Sequence, residues 1–146
     1  MPITYEPIAT TTLGSAASAI TFSSIPATYT DLRLVMVATA STGTSENLRF
    51  NSDSGTNYSR TRITGNGSTA ASFRITDADS IVGFNGIETT IPALFTADVF
   101  SYAGNTNKTV LYTENTDRNG SGIVEYGVGL WRNTSAITNV SISTGS

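Results

Sequence analysis

The chain has 146 residues, of which 25 are Thr and 18 are Ser, with no Cys, no His and a net charge of -3. Lacking Cys it cannot build a disulfide framework or a thiolate site, and lacking His it cannot build a Ser-His-Asp triad or an imidazole metal site. Its acidic balance argues against phosphate-driven nucleic-acid binding, and no apolar run approaches the roughly 20 residues of a membrane-spanning helix.

The opening residues lack the basic start and apolar stretch of a signal peptide, so none is expected. Extended segments are predicted at residues 5–12 and 19–25, separated by a small-residue stretch too short for a helix. Leu32, Leu34, Met36 and Ala38 then alternate with Arg33, Val35, Val37 and Thr39. That period of two marks a strand, and residues 40–45 read as a hairpin loop leading to Leu48 and Phe50. Further strands are predicted at 58–64, 73–76, 81–84, 94–102, 109–113 and 137–143. Between them lie turn clusters at 51–57, 65–68, 104–107 and 115–122, and three Asn-Gly pairs at 66–67, 85–86 and 119–120. Asn and Gly both tolerate positive φ, which tight turns require. Val124, Tyr126, Val128 and Leu130 form the cleanest alternation, with Glu125, Gly127, Gly129 and Trp131 on the opposite face. Two glycines on one face call for a large neighbour packed closely there, and the Trp131 ring is the expected occupant. About eight to ten short antiparallel strands in one domain, residues 1–146, predict an all-β fold, a jelly-roll-like β-sandwich. Thr suits such a fold, because its branched side chain fits a pleated, half-buried surface.

Chemistry-bearing groups are few. Asn51, Asp53 and Asn57 around Gly55 place oxygen atoms at alternating positions, as in a calcium loop, but an Asx-rich turn has the same composition. Glu114, Asp117 and Asn119 ahead of Gly120 read as a second loop of that type. Asp77 and Asp79 offer two carboxylates on one side of an extended segment, and Glu88 and Glu125 are further acids for a glycosidase-like pair. Lys108 is the only lysine, hence the only side-chain amine that could activate a serine. None of these spacings is specific, so no enzyme activity, no metal and no cofactor is expected. Six Asn-x-Ser/Thr triplets follow from a chain rich in all three residues. Contact residues are the better expectation. Trp131 and Arg132 end the best strand at a rim, where the Trp131 ring packs inside the sandwich or stacks on a partner, and Tyr58, Arg60 and Arg62 share one face of theirs, an exposed sheet face by default and a protein-contact stripe as the alternative.

Tyr5-Glu-Pro-Ile-Ala-Thr-Thr-Thr-Leu-Gly14, Ile20-Thr-Phe-Ser-Ser-Ile-Pro26 and Tyr29-Thr-Asp-Leu-Arg-Leu34 resemble small virion structural proteins of tailed phages, particularly cyanophages. Arg49-Phe-Asn51 and Gly55-Thr-Asn-Tyr-Ser59 continue that pattern. The resemblance implies a jelly-roll-like sandwich and a virion location, most simply the capsid surface, and it carries no catalytic residues. A decoration or cement protein binding the major capsid protein, as a homo-oligomer (dimer or trimer), is the function it implies. The alternative is a tail-fibre or receptor-binding domain that recognises host surface glycan through the Trp131 rim and the Asx-rich loops. Neither reading needs a nucleic-acid or membrane partner.

Overall fold

The computed structural model describes residues 5–41, 46–81 and 87–144. Within them the chain is all-β, without helix, and forms nine strands in two antiparallel sheets. They are β1 (Ala19–Ser23), β2 (Leu32–Ala38), β3 (Glu46–Phe50), β4 (Tyr58–Gly65), β5 (Ala70–Ala78), β6 (Ala93–Phe100), β7 (Lys108–Asp117), β8 (Gly122–Trp131) and β9 (Asn139–Thr144). One sheet has the order β1-β9-β3 and the other β2-β6-β7-β8-β4-β5. The connections β1–β2, β2–β3, β3–β4 and β8–β9 all pass from one sheet to the other, which gives the fold its jelly-roll-like character.

Local chemistry sets the tight turns. At the β4–β5 hairpin the Asn66 side-chain oxygen accepts the N–H groups of Ser68 and Thr69 at 3.0 and 2.8 Å, and Gly67 takes φ +86°. At the β7–β8 hairpin Asn119 and Gly120 both have positive φ, and the Asp117 carboxylate accepts the Asn119 N–H. These are the residues that pay least in steric strain for such backbone. The segment expected to join β2 and β3 as a hairpin instead carries the chain between sheets. Residues 5–12, expected as a strand, carry none. The 81–84 strand and the Asn85-Gly86 turn lie largely outside the described residues.

The core lies between the sheets. Leu48, Phe50, Val140 and Ile142 of the smaller sheet face Phe95, Val99, Val110, Tyr112 and Trp131 of the larger one. Ile81, Tyr102 and Ile137 close it from the connecting segments. Three strands cannot cover six, and β5 is exposed on both faces along almost its whole length.

The alternation of β8 is real, and the face that carries the two glycines is the one turned inward. Glu125, Gly127, Gly129 and Trp131 face the core, while Val124, Tyr126 and Val128 face outward. A Cβ on Gly127 would sit 2.3 Å from the Tyr112 ring, and one on Gly129 would sit 2.7 Å from Ile81. The two glycines thus make room for Tyr112 and Ile81, not for Trp131.

Candidate functional site

The expected contact residues assemble around the core, and most are used inside it. Trp131 is fully buried, its ring 5.6 Å from Phe50 and stacked at 6.3 Å on Tyr58. Its indole N–H donates to Asp53 Oδ2 at 2.7 Å. The same carboxylate accepts the Gly55 N–H and the Asn57 amide, both at 2.9 Å. Burial works against the Asp53 charge, but the hydrogen bonds from Trp131, Gly55 and Asn57 outweigh it and hold the carboxyl below its ordinary pKa. The calcium-like pattern at 51–57 is thus a loop folded around its own carboxylate and fastened to the sandwich. Asn51 works the same way, donating to the Ala136 carbonyl and accepting the Thr138 N–H.

Tyr58 is also fully buried, and its hydroxyl accepts the Phe50 N–H and donates to the Asp53 carbonyl. The Tyr58–Arg60–Arg62 face points inward, so it is not the outer contact stripe the alternation suggested. Arg60 donates to the Ile81 carbonyl at 3.1 Å, and burial lowers its pKa. Arg62 reaches both oxygens of Glu125 at 3.1 and 2.9 Å and lies over the Phe73 ring at 5.0 Å. Arg132 alone among the five is exposed, and it ties the Thr56 carbonyl to Asp77.

The acids weighed for catalysis do not converge. Asp77 pairs with Arg132, Asp79 with Arg49, Glu88 with Arg118 and Glu125 with Arg62. Lys108 is wholly buried, and its ammonium donates to the carbonyls of Gly104, Thr106 and Thr134. Burial lowers its pKa, yet three carbonyls occupy the cation, so it braces the β6–β7 turn.

A different cluster is present that the sequence did not announce. Glu114, placed in a loop by its neighbours Asp117 and Asn119, stands inside β7 on the core face, with Glu125 directly opposite on β8. Both carboxyls are fully buried, and Glu46 of β3 approaches from the facing sheet with little exposure. Burial, then the charges of Glu125 and Glu46, push the Glu114 carboxyl up to about 8, against the lowering effect of Arg62 and Arg118. Burial pushes Glu46 up to about 7. Glu125 is also raised by burial, with Arg62 acting against it. The Arg62 guanidinium thus opposes the rise at Glu125, while the Glu114 carboxyl is pushed high enough to hold its proton at neutral pH. The clue was the alternation Lys108, Val110, Tyr112, Glu114 and Thr116, all buried on one face of β7. Neither Glu114 nor Glu125 has any surface that reaches solvent, so the pair is not open to a substrate.

The largest exposed apolar region is elsewhere, on the outer face of the six-stranded sheet. Residues 5–18 form a second exposed feature, free of helix and strand, with Tyr5, Ile8 and Leu13 uncovered. Arg33 lies over the Tyr5 ring at 5.2 Å, and the Ser18 carbonyl accepts the Thr144 N–H. Compared with known proteins, the chain matches no family model, no curated protein and no solved structure.

Proposed function

We propose that this chain is a non-enzymatic virion structural protein of a tailed phage, a decoration or cement protein that binds the major capsid protein. One observation carries the reading: the sandwich leaves apolar side chains exposed along residues 5–18 and on a sheet face, while Trp131, the Arg62–Glu125 pair and Lys108 are held inside it. That is the arrangement of a protein whose work is contact. The resemblance of the segments around Tyr5–Gly14, Ile20–Pro26 and Tyr29–Leu34 to phage virion proteins supplies the setting. Residues 5–18 are the segment offered to the shell, since Tyr5, Ile8 and Leu13 are exposed there. Many weak copies of such a contact suffice on a repeating lattice, because avidity multiplies them. The fibre alternative rested on the Trp131 rim and the Asx-rich loops; the Trp131 ring lies in the core, and the 51–57 loop folds around Asp53.

Cosedimentation with shells that lack the chain tests the reading. Purified protein should pellet with shells, and Ile8→Asp with Leu13→Asp should cut the bound amount at least tenfold while the sandwich stays folded. Failure of the folded wild-type protein to bind shells, or binding to isolated tails alone, would overturn it.

A further inference from the structure

Three carboxyls meet between the sheets, brought there by three different strands. Glu114 comes from β7 and Glu125 from β8, both in the six-stranded sheet, and Glu46 comes from β3 in the other. Glu125 has the Arg62 guanidinium at 2.9 Å. Neither oxygen of Glu114 has a hydrogen-bond partner among the described residues, and nor has Glu46 Oε2. A buried polar group without a partner costs stability, and a charged one costs much more. At such a place a carboxyl differs from an apolar side chain of similar size in one useful respect: it binds and releases a proton.

The groups that face Glu114 fix what happens when it ionises. Glu125 faces it from β8, Glu46 from β3, Arg62 from β4 and Arg118 from just beyond β7. Arg62 is engaged with Glu125, and Arg118 with Glu88. Arg60, also on β4, bears on Glu125 and donates to the Ile81 carbonyl. On the same face of β7, burial raises the Tyr112 hydroxyl, which stays neutral, and Lys108 lies at the far end among backbone carbonyls. The Glu46 and Glu114 carboxyls, pushed up to about 7 and about 8, are therefore both neutral in acid and both charged in mild base. Once ionised they repel across the space between the sheets, while the nearby guanidinium groups are already engaged.

The two sides are not equally able to yield. Glu114 is fixed, because β7 is paired along its length with β6 and β8. Glu46 is the first residue of β3, a five-residue strand at the edge of its sheet, and its partner is Thr144 at the end of β9. Further along β3 the chain is fastened again, since the Leu48 carbonyl accepts the Ile81 N–H and Arg49 donates to the Asp79 carbonyl. The movable part is thus the start of the strand, and such ends open at little cost.

We infer that Glu46 and Glu114 form a proton-operated latch between the sheets: protonated, they let the start of β3 close on β7, and ionised, they drive it outward while the six-stranded sheet stays intact. The latch operates whatever the outer surfaces bind. Hydrogen exchange read by mass spectrometry tests it, with the β6–β7 segments of the same sample as the reference for the intrinsic rise of exchange with pH. Relative to them, protection at the start of β3 and the end of β9 should fall at least tenfold between mildly acidic and mildly basic pH. Glu46→Gln and, separately, Glu114→Gln should each remove that fall, and either folded variant suffices if the other does not fold. Protection at β3 that does not change with pH would overturn the latch, as would a fall that persists in a folded variant. Equal loss from both sheets is global destabilisation, and it would overturn the latch too.

Discussion

Glu114 and Glu125 stand directly opposite each other across the β7–β8 pair, both with no exposed surface, inside the sandwich. Two like charges opposed on one sheet face would repel, and burial disfavours either charge, so one carboxyl holds its proton. Arg62, 2.9 Å from Glu125, favours the charge on that carboxyl over one on Glu114. The pair makes the fold sensitive to pH.

The sign follows from the raised values. Glu114 moves from an ordinary 4.5 to about 8 and Glu46 from 4.5 to about 7, so between those limits the folded chain binds more protons than the unfolded chain. Stability from these groups is fully present below 4.5 and is lost as pH rises through about 7 and about 8. Urea denaturation at mildly acidic and mildly basic pH should show the protein less stable at the basic end, by on the order of a few kcal/mol. Glu114→Gln should flatten that dependence. An unchanged pH slope in the folded variant would show that Glu114 does not hold the proton.

Arg62 carries the complementary prediction. Removing it leaves Glu125 buried without its counter-charge, which typically costs about 3–5 kcal/mol when a buried pair is broken. Arg62→Ala should therefore destabilise strongly, and the loss should shrink when Glu125→Gln is added. Equal losses in both backgrounds, measured by denaturant titration, would contradict a coupling between them.

Asp53 should matter to stability well beyond its own loop. Asp53→Ala leaves the Trp131 indole N–H buried with no acceptor, a change worth about 1–3 kcal/mol. Asp53→Asn keeps an oxygen in place and should lose less. Melting curves followed by the fluorescence of Trp131, the only tryptophan, compare the two directly.

Gly127 is a packing requirement. A methyl group there meets the Tyr112 ring at 2.3 Å, and overpacking of this kind costs about 1–3 kcal/mol. Gly127→Ala should be destabilising in the parent protein and close to neutral beside Tyr112→Leu, a coupling that a double-mutant cycle measures.

Much of this architecture is legible in the residues. The alternation of Leu32 to Ala38 gives β2 with its correct inner face, and Asn66-Gly67 and Asn119-Gly120 mark two hairpins that form. What pattern alone left open was which face of β8 meets the core. Period two shows that Val124, Tyr126 and Val128 share a face, but the more apolar face is the core face only where the other is solvated. Here the core face of β8 holds two glycines and a paired carboxylate, because Tyr112, Ile81 and Arg62 fill the space from neighbouring elements. Those partners lie 15 to 63 residues away in sequence, which no local window contains. The same long-range pairing hid Asp53 from Trp131, and drew Tyr58, Arg60 and Arg62 inward.

Coating of a shell built by another protein is the function proposed for this chain. Electron cryomicroscopy of shells assembled with and without it tests that most directly. The account predicts added density repeated over the shell surface, contacting the major capsid protein through residues 5–18. Shells identical in the two preparations, or extra density confined to the tail, would contradict it.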